Sequence, residues 1–335
     1  MPINSVEQNA NALSSKLPMR VAVLDDWQRI AEHSADWSAL RERAEVVFFH
    51  RPFASPQEVV ASLADFDIIL AMRERTAFPD EVVEQLPRLK FFNMTGRRAR
   101  NLKAIERRGI PVSITGGGED GADPAEHALT LMLAANRRIP ESDAAVRRGD
   151  YQEAVAPGHR LNGKTVGIMG YGLIGKRVAG YCRALGMNVI TWDHFITPGS
   201  PVDGAESVEI DTLFKRADII TIHLVLVPGN RGIVSRERLA LMREGAILVN
   251  TSRGPLIDEV ALVDALQERR IQAALDVFIE EPLPRDHPLR SAPNAVLTPH
   301  VGYGTSDIYE LFYRNSIENT LAFLDGNPIR RYVSE

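Results

Sequence analysis

Residues 164–193 read KTVGIMGYGLIGKRVAGYCRALGMNVITWD, and this stretch decides the class of fold. It opens with a short apolar run rich in β-branched residues, passes through a glycine-rich turn into an amphipathic segment, and closes with a second β-branched run. Such an order predicts a strand, a helix and a second strand. A strand–helix–strand unit is the building block of parallel α/β sheets.

Three glycines between the predicted strand and helix follow the pattern G-x-G-x-x-G. Gly170 permits a tight turn, Gly172 lets the backbone approach a pyrophosphate, and Gly175 lets the helix pack closely against the strand. The second strand ends at Asp193, about 20 residues further on, where a carboxylate can accept hydrogen bonds from the ribose hydroxyls. This context predicts a dinucleotide site, and the acidic residue favours NAD over a cofactor with a 2′-phosphate.

Short β-branched runs alternate with helical patterns on both sides of this unit, which predicts parallel sheets and, over 335 residues, two α/β domains. The first series of predicted strands is RVAVLDD, EVVFFH, FDIILAM, LKFFNMT and IPVSIT. The second series is KTVGIMG, MNVITWD, ADIITIH, GAILVNTSRG, QAALDVF and NAVLTPH. Between the two series a helix is predicted from Asp123, which can cap it, with an apolar stripe of Leu129, Met132 and Leu133.

Composition and charge argue against several classes of partner. With 25% charged residues and a formal net charge of −5, the chain has no basic field that would attract nucleic acid. It has no apolar run of about 18 residues, so neither a membrane-spanning helix nor a membrane partner is predicted. We also predict no metal site. Small molecules are the expected ligands.

Cysteine usage and the first residues point to the cytoplasm. Cys182 cannot form an internal disulfide, and its spacing places it on the apolar side of the helix that follows the glycine turn. Residues 1–19 are polar and lack the apolar segment of a signal peptide. We therefore expect a flexible N-terminal extension on a cytoplasmic protein.

Polar residues follow the later strands of the second series, where each strand ends. They are His223, Arg253, Asp276 and His300. In an open α/β sheet, ligands bind outside the carboxyl ends of the strands, so we expect these four side chains to converge on one crevice that includes the cofactor. Each alone has an ordinary structural explanation, such as a strand cap, a surface ion pair or a turn. Their joint position on one edge favours a site.

Four stretches of the chain resemble the signatures of the D-isomer-specific 2-hydroxyacid dehydrogenases, which include D-lactate, D-glycerate and D-3-phosphoglycerate dehydrogenases. These stretches are GYGLIG, NTSRGPLIDEVAL, ALDVFIEEPLP and LTPHVGYGT. The resemblance implies two doubly wound parallel-sheet domains of the α/β class. A Rossmann NAD-binding domain, residues 121–302, would be inserted in a discontinuous flavodoxin-like substrate domain formed by residues 20–120 and 303–335. It also implies a homodimer.

The same resemblance implies roles for individual residues. Arg253 would hold the substrate carboxylate and carbonyl, His300 would be the acid/base, and Glu281 would orient and charge His300. Asp276 would lie near the nicotinamide carboxamide. The residues implied to line the cofactor are Leu173, Ile174, Asp193, Thr251, Arg253, Asp276 and His300.

The chemistry of these residue types agrees with that interpretation. Oxidation of a secondary alcohol needs a base for the hydroxyl proton, and imidazole is suited to this near neutral pH. A guanidinium can bind the neighbouring carboxylate bidentately and stabilise the developing alkoxide. We therefore predict an NAD-dependent oxidoreductase that interconverts a D-2-hydroxy acid and the 2-keto acid by hydride transfer.

The predicted substrate region departs from the family pattern. Relatives usually have a Gly-x-Asp-Asn type loop with backbone amides toward the substrate, whereas this chain has NMTGRRARNLKA, in which Gly96 matches and Arg98 replaces the acidic residue. Arg97 lies beside it, and the stretch MRERT places Arg73 after the third strand. These residues are predicted to contact substrate, including a second anionic group. The alternative is a solvated face or an ion-paired contact with a partner subunit.

Two alternative functions stay open from the sequence. The first, within the same class, is D-3-phosphoglycerate dehydrogenase specifically. The second, from another class, is a non-catalytic NAD-sensing protein that resembles corepressors built on this fold. Intact Arg253, Glu281 and His300 favour the enzyme without excluding the sensor.

Overall fold

The computed structural model describes residues 18–96 and 102–332. The chain divides into two compact units. Of the described residues, those up to Gly117 and those from Ser306 onward form one unit, and Gly118–Thr305 form the other. The second unit is therefore continuous in sequence, whereas the first is made of two separate segments.

In the described part of the first unit, five strands form one parallel sheet in the order β2-β1-β3-β4-β5. This is the flavodoxin-like strand order. The strands are β1 Met19–Val23, β2 Ala44–Phe48, β3 Ile68–Ala71, β4 Phe91–Met94 and β5 Val112–Ile114. The residues of β3 and β4 are all buried, as expected for central strands with helices on both faces.

Short helices and one long helix cover this sheet. They are α1 Ala31–Ser34, α2 Ser38–Arg41, α3 Pro56–Leu63, α4 Asp80–Val83, α5 Lys103–Arg107 and the C-terminal helix Ser306–Leu324. A buried polar cluster joins the C-terminal helix to β4: Asn93 donates to Ser316 Oγ at 2.8 Å, and Asn319 donates to Asn93 Oδ1 at 2.7 Å. Because all three side chains are almost fully buried, each needs these partners.

The second unit contains an eight-stranded sheet in the order β13-β12-β11-β10-β6-β7-β9-β8, within the residues that the structure describes. Neighbouring strands run parallel, except that β8 is antiparallel to β9. The strands are β6 Thr165–Met169, β7 Asn188–Trp192, β8 Pro201–Val202, β9 Ala205–Ser207, β10 Ile219–Ile222, β11 Ile247–Asn250, β12 Gln272–Leu275 and β13 Ala295–Leu297.

Starting from β6, the chain adds strands β7 to β9 on one side of the sheet and then returns to add β10 to β13 on the other side. The boundary between β6 and β10 is therefore the switch point of a Rossmann fold. The sequence-based prediction of two doubly wound parallel sheets is confirmed. The helices of this unit are α6 Ala122–Asn136, α7 Ile139–Arg148, α8 Leu173–Ala184, α9 Ile210–Arg216, α10 Arg236–Leu241 and α11 Glu259–Gln267. Cys182 on α8 is fully buried, as predicted, and burial raises the pKa of its thiol to about 12.

The start of α6 corrects one prediction. Gly121, in the left-handed region at φ +68°, is the N-cap, so Asp123 falls inside the first turn and accepts a hydrogen bond from Thr305 Oγ1 at 2.8 Å. The predicted stripe also differs, because Leu129 and Leu133 are only half-buried. The buried hydrophobic residues of α6 are Ala125, Ala128, Leu131, Met132 and Ala135. Small alanine side chains let this helix lie close to the sheet.

In residues 18–96 and 102–332, every helix is too short or too polar to cross a membrane. The same residues contain no group of three or more His, Cys, Asp or Glu side chains that could hold a metal ion.

Candidate active site

The glycine-rich turn after β6 is shaped by close contacts at two of its glycines. A Cβ on Gly170, which has φ +93°, would lie 2.8 Å from the backbone carbonyl of His223, and a Cβ on Gly175 would lie 2.1 Å from the Gly170 oxygen. Around Gly172, by contrast, none of the described residues comes within 4 Å of a Cβ position. The turn therefore leaves open space at the N-terminus of α8, where backbone amides favour an anion.

Asp193 lies at the end of β7 and is tied to this turn. Its Oδ2 accepts a hydrogen bond from the Tyr171 amide at 2.8 Å, and its Oδ1 accepts one from the Phe195 amide at 3.0 Å. A carboxylate has about four lone-pair sites, so each oxygen can still accept one further bond. The geometry holds this side chain in a fixed orientation with acceptor capacity left for a ligand.

Other residues predicted to contact the cofactor lie along the same edge of this sheet. Leu173 and Ile174 form the first turn of α8, next to Gly121, and Thr251 directly follows β11. Leu173 is about half exposed. An exposed apolar side chain beside an open glycine turn suits a ligand with an apolar face.

His223 follows β10 and borders the glycine turn through its backbone. Its amide donates to the Met169 carbonyl at 2.7 Å, and its Nε2 lies 2.9 Å from Thr221 Oγ1. Burial lowers the pKa of its imidazole to about 4, so the ring is neutral at physiological pH. A neutral ring engaged with Thr221 is a structural neighbour of the turn rather than a source of positive charge.

His300 and Glu281 form a direct pair. His300 Nδ1 lies 2.6 Å from Glu281 Oε2, and both side chains are about one-third exposed. Glu281 Oε1 accepts a hydrogen bond from the Phe278 amide at 2.9 Å, which fixes the carboxylate. Because an ionised carboxylate only accepts, Nδ1 must carry the hydrogen, and Nε2 is the ring nitrogen available to a reacting hydroxyl or carbonyl.

Arg253 lies on the loop after β11, which packs against the loop that leads to Glu281. A Cβ on Gly254 would lie 2.1 Å from the backbone carbonyl carbon of Phe278, so the two loops touch. The Arg253 loop is held by hydrogen bonds from Asn250 Nδ2 to the Arg253 carbonyl at 2.9 Å and from Arg253 Nη1 to the Ser252 carbonyl at 2.7 Å. The first bond fixes the loop backbone, and the second ties one nitrogen of the guanidinium to that backbone.

Asp276 is almost fully buried and accepts hydrogen bonds from around the His300 loop. Its oxygens face Thr298 Oγ1 at 2.5 Å, the Val301 amide at 3.0 Å and the Gly302 amide at 2.9 Å. A fourth contact comes from His127 Nε2 at 3.2 Å. Burial alone would raise the pKa of Asp276, but these hydrogen bonds outweigh it and the pKa lies below its usual value. A cofactor carboxamide at Asp276 would have to share the carboxylate with protein donors.

The predicted substrate residues of the first unit are only partly described. Arg73 has φ +55°, and its amide donates to Thr95 Oγ1 at 2.9 Å. Its Nη1 would lie 3.0 Å from a Cβ on Gly96. The Gly96 amide donates to Thr115 Oγ1 at 2.8 Å. Arg97 and Arg98 lie outside the described residues.

Sequence reasoning missed a buried acid in the first unit. Asp25, two residues after the end of β1, is almost fully buried, and both of its carboxylate oxygens lie 3.0 Å from Thr76 Oγ1. Burial raises the pKa of Asp25 to about 6, although Thr76 and Arg75 act in the opposite direction. Arg75, which follows β3 beside Arg73, donates to the Asp25 carbonyl at 2.9 Å and stacks over Trp27.

A family model, related sequences and solved structures all indicate the same family of dehydrogenases. The sequence model of the family "D-isomer specific 2-hydroxyacid dehydrogenase, NAD binding domain" matches residues 129–302. The hydroxypyruvate reductase of Blautia hydrogenotrophica is 32% identical over 322 residues, which cover 93% of this chain and 98% of that protein. The D-3-phosphoglycerate dehydrogenase of Methanocaldococcus jannaschii is 40% identical over 260 residues, 75% of this chain and 48% of that protein.

The chain thus spans nearly all of the first relative but about half the length of the second. Among solved structures, a phosphoglycerate oxidoreductase from Vibrio cholerae superposes with a TM-score of 0.85 at 30% identity, covering 92% of this chain and 99% of that one. The chain belongs to the D-isomer specific 2-hydroxyacid dehydrogenase family and is an NAD-dependent oxidoreductase that acts on the CH–OH group of a 2-hydroxy acid.

Proposed function

We propose that Arg253, Glu281 and His300 interconvert a D-2-hydroxy acid and its 2-keto acid. The observation that carries this proposal is the 2.6 Å contact between His300 Nδ1 and Glu281 Oε2. Because that contact uses Nδ1, the opposite ring nitrogen is left to exchange a proton with the substrate oxygen. The pair combines a titratable base with a second group that orients it, an arrangement suited to acid/base catalysis.

The chain's own residues divide the work as follows. In oxidation, His300 Nε2 accepts the hydroxyl proton, and the Glu281 carboxylate stabilises the resulting imidazolium. The Arg253 guanidinium binds the substrate carboxylate and stabilises negative charge on the reacting oxygen. In reduction, His300 must begin protonated and gives its proton to that oxygen. Bound NAD supplies the hydride acceptor or donor.

We further propose that residues 121–302 hold the cofactor and that residues 20–120 with 303–335 bind the substrate. The open space at Gly172 and the oriented Asp193 carboxylate fit a pyrophosphate and an adenosine ribose respectively. The remaining proposed cofactor contacts are Leu173, Ile174, His223, Thr251 and Asp276.

Two substrate classes are candidates. A small 2-keto acid is supported by the similarity to the hydroxypyruvate reductase over nearly its whole length. A keto acid with a second anionic group, such as a phosphate, is supported by Arg73 beside Gly96, with Arg97 and Arg98 next in sequence, and by relatives that are D-3-phosphoglycerate dehydrogenases. We favour a small 2-keto acid as the main substrate. We propose that Arg73 would bind the second anionic group of a larger keto acid.

The protein is proposed to be a cytoplasmic homodimer. Helix α7 and the residues after it leave large apolar side chains exposed, namely Ile139, Val146 and Tyr151. Exposed apolar side chains concentrated in one segment are typical of an interface. A single buried thiol suits a reducing compartment. Sedimentation of the wild type beside Val146→Glu should show a dimer that weakens in the variant.

The assignment is tested by following NADH absorbance with a panel of 2-keto acids. We expect His300→Ala to lose orders of magnitude in kcat while NADH binding, measured by fluorescence, is kept. Glu281→Gln should also lower kcat, since the charged partner that holds His300 Nδ1 is gone. His159→Gln, at an exposed histidine outside the proposed site, is the matched control. NADH binding without turnover of any keto acid would identify a non-catalytic NAD sensor instead.

A further inference from the structure

The proposed acid/base residue lies on a backbone that is locally unfavourable. His300 has φ +53°, in the left-handed region, where the Cβ of a non-glycine residue crowds the following carbonyl. Such a conformation persists only where neighbouring contacts determine it, and it commonly marks a functional position. The contacts that hold residues 298–302 therefore decide where the His300 ring points.

Asp276 holds this segment on both sides of His300. Before His300, Thr298 Oγ1 lies 2.5 Å from Asp276 Oδ1. After it, the amides of Val301 and Gly302 donate to the two oxygens of the same carboxylate at 3.0 and 2.9 Å. The carboxylate thus acts as a clamp that spans the strained residue.

His127, on helix α6, completes the clamp from outside the loop. Its Nε2 lies 3.2 Å from Asp276 Oδ1 and 3.1 Å from Thr298 Oγ1. The single hydroxyl hydrogen of Thr298 is used in the shorter bond to Asp276, so both oxygens face His127 as acceptors. His127 Nε2 must then carry a hydrogen and donate it to the clamp.

Packing gives a second, independent link between His127 and the loop. A Cβ on Gly302 would lie 3.0 Å from Asp276 Oδ2 and 3.2 Å from His127 Cδ2. Both neighbours are held by hydrogen bonds and cannot easily move aside. The loop at Gly302 is therefore seated directly on the His127 ring.

We propose that His127 is a positioning residue for the reaction, acting through Asp276 and Thr298 to hold His300 toward Glu281. This inference rests on the proposed acid/base role of His300. Helix α6 is then part of the catalytic geometry, although His127 is 149 residues from Asp276 in sequence.

The test compares two replacements of His127. His127→Phe keeps a ring of similar size but removes the donor, and we expect kcat to fall about 10- to 100-fold with NADH affinity unchanged. The KM for the keto acid should change much less than kcat, because His300 is displaced while the groups that bind the substrate stay in place. His127→Gln places an amide N–H near the position of Nε2 and should restore most of kcat.

Further variants separate a positioning role from a structural one. Thr298→Val removes the other donor at nearly constant volume and should lower kcat similarly, and the double variant should lose less than the product of the single losses. A His127→Phe variant with a lower melting temperature but wild-type kcat and KM would overturn the inference. Equal losses of kcat in His127→Phe and His127→Gln would also overturn it. If His300→Ala keeps its kcat, the proposed function fails. If His300→Ala loses its activity but His127→Phe does not, only this inference fails.

Discussion

Gly172→Ala is predicted to weaken NADH binding and Gly175→Ala to lower stability, although the two glycines lie three residues apart in one motif. Around Gly172, the described residues leave the new methyl group without a neighbour within 4 Å, and its backbone at φ −80° and ψ −156° suits alanine. Alanine is a poorer N-cap than glycine, so the free energy of unfolding should change by less than about 1 kcal/mol. The methyl group would, however, occupy the space proposed for the pyrophosphate. Loss of one charge-assisted hydrogen bond there, about 1.5–3 kcal/mol, should weaken NADH binding roughly 10- to 100-fold.

Gly175→Ala should instead unfold more easily. Its Cβ would lie 2.1 Å from the Gly170 carbonyl oxygen and 3.3 Å from Ile168 Cγ2. The first distance is more than 1 Å inside an ordinary carbon–oxygen contact of about 3.3 Å, so helix α8 must move away from β6. Overpacking of this kind costs about 1–3 kcal/mol or more. At about 2–4 °C per kcal/mol, the melting temperature should fall by roughly 2–12 °C.

The assay combines NADH fluorescence titration with thermal unfolding in the presence and absence of NADH. Gly180→Ala, on the same helix, is the matched control, since the described part of the chain places no atom within 4 Å of its Cβ position. It should be up to about 1 kcal/mol more stable and bind NADH normally. Wild-type NADH affinity in Gly172→Ala, or a wild-type melting temperature in Gly175→Ala, would refute the reasoning.

Three further predictions concern charge. Burial raises the pKa of Asp25 to about 6 from an ordinary 3.8. Between these two pH values the folded state binds a proton that the unfolded state has lost. The contribution of Asp25 to stability is therefore full below about pH 4 and is lost as pH rises through 6. Asp25→Asn should be up to about 3 kcal/mol more stable than wild type at pH 8, with the difference closing toward pH 4; a constant difference would count against this. NADH should be preferred over NADPH by at least about tenfold in kcat/KM, since Asp193 repels a 2′-phosphate, and equal values at pH 8 would contradict that role. Arg73→Ala should lower kcat/KM about 10- to 100-fold for keto acids with a second anion but not for monocarboxylates, whereas an equal effect on both would mark Arg73 as structural.

The fold was predictable because its signals are local. Apolar β-branched runs identify buried parallel strands, and the polar residues that follow them mark the sheet edge at which ligands bind. The hairpin of β8 and β9 was missed, since strands of two and three residues carry no periodicity. The start of α6 was misplaced because a glycine in the left-handed region, rather than the side chain of Asp123, ends the preceding loop.

The site was predictable only where a residue's role follows from its place on a strand. His300 and Glu281 were identified together through a family resemblance, and their 2.6 Å contact depends on two loops whose relative position no local pattern specifies. The proposed role of His127 was not predicted, because a histidine beside the apolar stripe of a helix is most simply interpreted as a structural residue. The engagement of the Gly96 amide by Thr115 likewise arises from pairing between distant segments.

The hydrogen bonds between β4 and the C-terminal helix have a consequence for the order of events during synthesis. Asn93 is made early, but its partners Ser316 and Asn319 are translated only after the whole of Gly118–Thr305. At about 5–20 residues per second this delay is roughly 10–40 s. During that interval the nascent chain can complete its continuous second unit but not its first. Of the two units, the one that begins to leave the ribosome earlier is therefore the one that is completed later.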